Sequence, residues 1–465
     1  MKKCIILLSF LMIANLAFSQ LDGNWNGTLE VQGAKLKIVF HIQKTKDMYS
    51  ATFDSPYQNA YGIPVEEVVL NESNVIIKIP AIGAVFNGQM NNGHNEVIGT
   101  FKQGGLSTPL TLKAIEAETD KSERPQTPKK PYPYFSKDVI IENTKNNIQL
   151  AGTLTLPDSV RKFPVVILIS GSGSQDRDET IFGHKPFLVL ADYLTKKGIG
   201  VLRFDDRHYG KSTEMLFNTT AGDIANDVES CVNFLQSHNH VLKNSIGLIG
   251  HSEGGLSASI VSARNPNIAF TILLATPGII GEEIVYAQLK ETIGGLTEQE
   301  LEQQIKLRKD VIKVLNNEPD KQIAAEKLRE ILNNDLSVTL YYEAKDTIQE
   351  IDNTIEIFNC DMYRFFISYN PINDLKKIAC PVLALIGEKD IQVPPNQNLP
   401  AIESALREGK SVNYMVKEIA NVNHMFQTAK TGKTSEYAEI EETISPDVLS
   451  LILGWINDLR LGDRE

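Results

Sequence analysis

The stretch SIGLIGHSEGGLSASIVSA, Ser245–Ala263, decides the fold. In it Ser252 stands between Gly250 and Gly254, where a short apolar run meets a run of small residues. A Gly-x-Ser-x-Gly match arises by chance in roughly one chain in ten of this length, so the pattern alone leaves open a nucleophile or an ordinary turn. Its surroundings favour the nucleophile. IGLIG reads as a buried strand and GLSASIVSA as a small-residue helix, which is the strand–turn–helix setting a nucleophile elbow requires. The two glycines leave room for a strained turn that lifts the Ser252 hydroxyl clear of the backbone.

Outward from this point, strands alternate with helices, the signature of an α/β sheet. KDVIIEN and IQLAGTLTLP read as an opening hairpin, and FPVVILISGSG, IGVLRFDDR, SIGLIG, AFTILLATPG, PVLALIGEKD and VNYMVKEIA as successive strands. From about 281 to 374 the alternation gives way to Glu/Lys/Leu-rich amphipathic helices, where a cap over the site would sit and where the charged faces read as solvated surface. A serine nucleophile requires a base, a group that orients the base, and donors for the oxyanion. LALIGEKDIQVPP places Asp390 just past one strand, and IANVNHMFQ places His424 after the next. Glu388 competes with Asp390 for the orienting role. His184, His208 and His251 compete with His424, but only His424 follows the final strand. His251 reads as packing beside the nucleophile.

The order Ser252, Asp390, His424 is that of the α/β-hydrolase triad. With the helical insertion, the NHMFQ segment and the closing EYAEIEETISPDVLSLILGWI, residues from about 135 to 461 resemble secreted bacterial α/β-hydrolases of the serine aminopeptidase-like group, which is dominated by carboxylesterases. The resemblance implies a helical cap and a serine hydrolase without cofactor or metal. LISGSGSQDRDE follows the strand where that superfamily carries a His-Gly oxyanion loop, with Ser170 in place of the histidine. The amides of Ser172 and Glu253 are the expected oxyanion donors. A phosphate-binding reading of these glycines fails for lack of the Gly-Lys-Ser/Thr ending. Asp176, Arg177 and Asp178 are expected to form a structural ion cluster. RFDDRHYGKS resembles the group's Asp-x-Arg-Gly-x-Gly-x-Ser loop at Asp205, Arg207, Gly210 and Ser212, with His208 where glycine is usual, and is read as structural.

Residues 20–115 alternate short apolar segments with Gly/Asn turns and read as an antiparallel β-barrel-like domain. GNWNG, FNGQM and IGTFKQ resemble the lipocalin-like β-domain that precedes some secreted bacterial hydrolases. Trp25 would either plug this barrel or line a glycan or lipid site. Residues 116–134, rich in charge and proline, read as a linker to a hydrolase domain at 135–465. Residues 1–19 have a basic start, an apolar middle and small residues at Ala17 and Ser19. They read as a signal peptide cut after about Ser19, which implies a secreted or periplasmic protein. The apolar run is short for a membrane span and no other candidate follows. Cleavage would remove Lys2 and Lys3, leaving 44 basic against 58 acidic side chains and a net charge of −14. That balance argues against nucleic acid or an anionic membrane surface. Cys231, Cys360 and Cys380 are too few and scattered for a disulfide framework or a zinc site.

The sequence thus points to a serine hydrolase acting on a small ester through an acyl-enzyme. Two alternatives stay open. One is a serine peptidase of aminopeptidase or prolyl type on the same triad, with cap residues such as Glu282 and Glu283 anchoring a free amine. The other is a non-catalytic glycan- or lipid-binding protein, against which the intact triad argues.

Overall fold

A computed structural model describes residues 21–461, apart from 32–33, 46–47, 56–59, 80–81, 104–105, 116–123, 208, 214–217, 293–297, 335–343 and 412. The expected signal peptide, His208 and the first part of the expected linker lie outside the described residues. The chain divides into two compact units, one of residues 1–119 with 339–353, the other of 120–338 with 354–465.

The first unit carries an antiparallel sheet of β1 (Gly23–Val31), β2 (Ala34–Thr45), β3 (Met48–Ser55), β4 (Ala60–Val65), β5 (Glu67–Asn71), β6 (Asn74–Ile79), β7 (Ala84–Met90), β8 (Glu96–Gln103) and β9 (Leu106–Ile115). Their spatial order is β4-β3-β2-β1-β9-β8-β7-β6-β5. The two outermost strands are separated in sequence by Glu66 alone, so the sheet is curled and nearly closed, as the alternating pattern predicts. Its inward positions are filled. Phe40 and Phe53 meet at 5.1 Å between ring centroids, and Phe53 stacks on Phe101 at 6.2 Å. Trp25 is buried among them, its indole N–H donating to the Leu21 carbonyl at 3.0 Å.

The second unit carries the mixed sheet of an α/β-hydrolase fold. Its strands are β10 (Phe135–Asn143), β11 (Ile148–Leu156), β12 (Phe163–Ile169), β13 (Gly200–Phe204), β14 (Val241–His251), β15 (Ile268–Leu274), β16 (Val382–Gly387) and β17 (Tyr414–Ile419). They lie in the order β10-β11-β13-β12-β14-β15-β16-β17. The opening hairpin is antiparallel and every strand from β13 onward runs parallel to its neighbours in the sheet beyond β11. Parallel strands covered on both faces are apolar throughout, and β12 shows why. Val165, Ile167 and Ile169 pack toward the helices Ala221–Ser237 and Glu253–Arg264, whereas Val166 and Leu168 pack toward Pro186–Lys196 and Pro446–Asp458. Between β15 and β16 the chain forms a run of helices, beginning with Gly281–Thr292 and Glu298–Asn317, where the cap was expected.

The proline-rich stretch behaves differently from a free linker once it reaches Arg124. That side chain is buried, and its guanidinium donates to the carbonyls of Ile440 (2.6 Å), Phe182 (2.7 Å) and Ala438 (2.8 Å). Gln126 adds bonds to the Thr443 and Ile444 backbone. Residues 124–134 therefore belong physically to the second unit. Among the described residues no helix is long and apolar enough to cross a membrane.

Candidate active site

Ser252 follows β14 and occupies the N-cap position of the helix Glu253–Arg264 with φ 52° and ψ −121°. A non-glycine residue is strained there by roughly 1–3 kcal/mol and persists only where its surroundings fix it. Here they do. The Ser252 amide donates to the Leu274 carbonyl at 2.8 Å, and the Gly255 amide to the Ser252 carbonyl at 3.0 Å. The flanking glycines are sterically required. A Cβ on Gly250 would lie 2.6 Å from the Gly255 nitrogen, and one on Gly254 would lie 2.8 Å from the Ile169 carbonyl carbon. Gly255 is a third such position, because a Cβ would meet the Thr276 side chain.

Asp390 follows β16 and His424 lies in the loop after β17, both buried. His424 Nδ1 is 2.8 Å from Asp390 Oδ2. The other carboxylate oxygen, Oδ1, accepts from the amides of Gln392 (2.9 Å) and Val393 (2.8 Å), so the carboxylate is held from both sides. With Nδ1–H donated to Asp390, the Nε2 nitrogen of neutral His424 carries the lone pair a base requires. Glu388 is exposed and instead accepts from the Asn421 amide at 2.8 Å. His184 is buried between Thr443 Oγ1 (2.8 Å) and the Tyr437 carbonyl (3.0 Å). The structure thus brings Asp390 and His424 together, while Glu388 and His184 are engaged elsewhere. Among the described residues the Ser252 hydroxyl has no hydrogen bond; the ring of the adjacent His251 lies 4.9 Å from that of His424.

The loop after β12 reaches Ser252 from the other side. A Cβ on Gly171 would sit 3.4 Å from Ser252 Cβ. The Gly171 amide is engaged by Glu179 Oε1 at 2.8 Å, whereas the amides of Ser172 and Glu253 have no hydrogen-bond partner among the described residues. Glu253 is also the first residue of its helix, where unpaired amides and the helix dipole favour negative charge. Its own carboxyl is pushed up to about 7 by burial. Ser170 turns the other way, its hydroxyl 2.8 and 2.9 Å from the two oxygens of Asp206. Asp206 also accepts from the Gln175 amide. Burial drives the Asp206 carboxyl up to about 8, with these hydrogen bonds opposing it.

The neighbouring charges are structural, with one amendment to the expected cluster. Arg177 pairs with Asp205 at 2.8 Å and Arg203 with Asp178. Asp176 instead accepts from the backbone amides of Asp178 and Thr180. In the RFDDRHYGKS loop, Arg207 pairs with buried Asp227 at 2.7 Å, and Ser212 bridges the Asp205 carbonyl and the Ala151 amide. The first cap helix touches the Asp390 loop through Gln288 Nε2, which donates to the Gln392 carbonyl at 3.2 Å. Among the described residues no three His, Cys, Asp or Glu side chains converge as a metal site would.

Sequence reasoning missed Glu179 and Asp206, which hold the loop carrying Ser172. Nothing in their local spacing marks them, since their partners lie as far away as His251.

A model of the family described as serine aminopeptidase, S33, matches residues 185–428, more than half of the chain and a span that includes Ser252, Asp390 and His424. The chain belongs to that hydrolase family. Esterase EstD of Thermotoga maritima is 29% identical over 160 residues, which is 34% of this chain and 37% of that protein. An uncharacterised 31.7 kDa protein of Escherichia coli is 22% identical over 57% of this chain and 85% of its own length. Among solved structures, the α/β-hydrolase GrgF of Penicillium superposes with a TM-score of 0.44 at 16% identity, covering 70% of this chain and 98% of that one. An esterase of Pyrococcus furiosus gives 0.42 at 17% identity, covering 70% and 91%.

Proposed function

We propose that this family member is a carboxylesterase working through an acyl-enzyme, with Ser252 as nucleophile, His424 as general base and acid, and Asp390 orienting the imidazole. Ser252 Oγ attacks the ester carbonyl as His424 Nε2 takes its proton. The amides of Ser172 and Glu253 receive the oxyanion, the alcohol leaves with the proton from His424, and water then repeats the sequence to release the acid. The observation that supports this most is the backbone of Ser252, a non-glycine residue at φ 52° on the strand–helix turn. The substrate in this reading is small and neutral, in keeping with the acidic chain, and the N-terminal 19 residues direct export. The test is reaction of the purified protein with a fluorophosphonate and with short-chain nitrophenyl esters against aminoacyl nitroanilides. Label on Ser252 and turnover of the esters are expected; preferential cleavage of the anilides would move the protein to the peptidase reading.

A further inference from the structure

His251 precedes the nucleophile, is buried, and contacts acceptors through both ring nitrogens. Nδ1 lies 2.9 Å from Glu179 Oε1 and Nε2 lies 3.1 Å from the backbone carbonyl of His424. A carbonyl oxygen can only accept, so Nε2 donates. Glu179 Oε1 also accepts from the Gly171 amide, so one carboxyl oxygen meets both the loop and the ring. His251 thus bridges the Glu179 carboxyl and the His424 backbone through its two ring nitrogens. Burial opposes its charge, but Glu179 outweighs burial and the ring is held above its ordinary value. Glu179 itself is buried, 4% exposed, at φ 53°, a second strained non-glycine backbone fixed by its surroundings.

We propose that Glu179 and His251 act as a positioning pair for the reaction, tying the oxyanion loop, the nucleophile elbow and the base loop to one another. The three catalytic segments lie on separate loops, after β12, β14 and β17, and hydrogen bonds across 72 and 173 residues of sequence join them here. The Glu179 carboxylate fixes the amide of Gly171, one residue before the Ser172 donor. His251 adjoins Ser252 covalently and holds the backbone of His424. Neither side chain exchanges a proton with substrate in this scheme. The titratable groups that act on the ring are Glu179 and Asp390; Glu179 in turn acts on Asp206. The inference rests on the Ser252–His424 assignment above.

The test compares Glu179→Ala, Glu179→Gln, His251→Ala and the Glu179→Ala/His251→Ala double variant in the full chain. The readouts are kcat and KM on a nitrophenyl ester and the rate of fluorophosphonate labelling, each per folded molecule by near-UV circular dichroism. Because misplacing reacting groups by about 1 Å costs on the order of 10²-fold, Glu179→Ala is expected to lose about that much in kcat and labelling, with KM within about threefold. Glu179→Gln, whose carbonyl oxygen can take the place of Oε1 and accept from both the Gly171 amide and a protonated Nδ1 of His251, is expected to recover about tenfold of the loss. The double variant is expected to be no slower than the worse single, since contacting residues that act as a unit are not additive. Wild-type labelling rates in Glu179→Ala, or a double variant as slow as the product of the singles, would overturn the pairing while leaving the triad intact. Should Glu179→Ala not fold, the cycle is run with Glu179→Gln and His251→Gln under the same criteria. Mapping the label in the unsubstituted protein separates the two claims, because label on a residue other than Ser252 removes the triad and the pair with it.

Discussion

Replacing Gly254 by alanine probes the elbow without touching any reacting group. The added Cβ would lie 2.8 Å from the Ile169 carbonyl carbon and closer still to the carbonyl oxygens of Ile169 and Ser170. Ordinary carbon contacts are about 3.5–4.0 Å, so the helix start and the strand leading to Ser172 must part by roughly 1 Å. Both proposed oxyanion donors ride on those two segments, so the perturbation separates Ser172 from Glu253 and leaves His424 and Asp390 in place. Loss of one such donor costs about 10²–10³ in kcat. We therefore expect Gly254→Ala to lower kcat on a nitrophenyl ester by about 10²-fold, about 2.7 kcal/mol, with little change in KM. Overpacking should also lower stability by about 1–3 kcal/mol, measured by denaturant unfolding. Stopped-flow acylation at saturating ester is the assay. A folded variant whose acylation stays within twofold of the original would refute the placement of the oxyanion site between these segments.

Ser252→Ala should abolish fluorophosphonate labelling and lower ester turnover by several orders of magnitude; label persisting at the original rate would remove the assignment. Asp390→Asn should cost on the order of 10⁴ in kcat through the wrong imidazole tautomer. Glu388→Gln should leave kcat within about twofold, because Glu388 faces solvent and the Asn421 amide. Asp206 gives a pH signature in stability. Its carboxyl is held at about 8 in the folded chain against about 3.9 unfolded. The folded state thus keeps a proton that the unfolded state releases, and stability falls as pH rises from about 4 to 8. In Asp206→Asn, the drop in Tm between pH 5 and 8 should shrink, and an unchanged drop would contradict a neutral Asp206. Arg124→Ala, which strands the carbonyls of Ile440, Phe182 and Ala438, should lower Tm by several degrees in calorimetry.

The parallel strands were legible because burial on both faces makes each a short apolar run, as in FPVVILI and VLALIG. Ser252, Asp390 and His424 could be nominated from the sequence because each follows its strand in the order this fold uses, and the pairing of Asp390 with His424 is what the structure adds. Choosing Asp390 over Glu388 from spacing alone was not decisive, since both sit at one strand end and only the fold shows Asp390 buried against His424 and Glu388 turned to the Asn421 amide. Glu179 was hidden for a different reason. It lies among Asp176, Arg177 and Asp178, and no local pattern reports that its partner is His251. Arg124 was hidden by its chemistry, because a guanidinium satisfied by carbonyls leaves no apolar trace in RPQTPKKPYPY.

The docking of residues 124–134 moves the modular seam of this chain. Composition would place the cut where the proline-rich stretch gives way to β10, and a gene fusion joined there would discard the strap that ties the segment 438–444 to the loop at Phe182. A hydrolase unit carried into another protein should therefore bring Arg124 and Gln126 with it. Recombination that exchanges the N-terminal module has to cut before Arg124, so it has fewer permissible crossover points than the length of the polar stretch suggests.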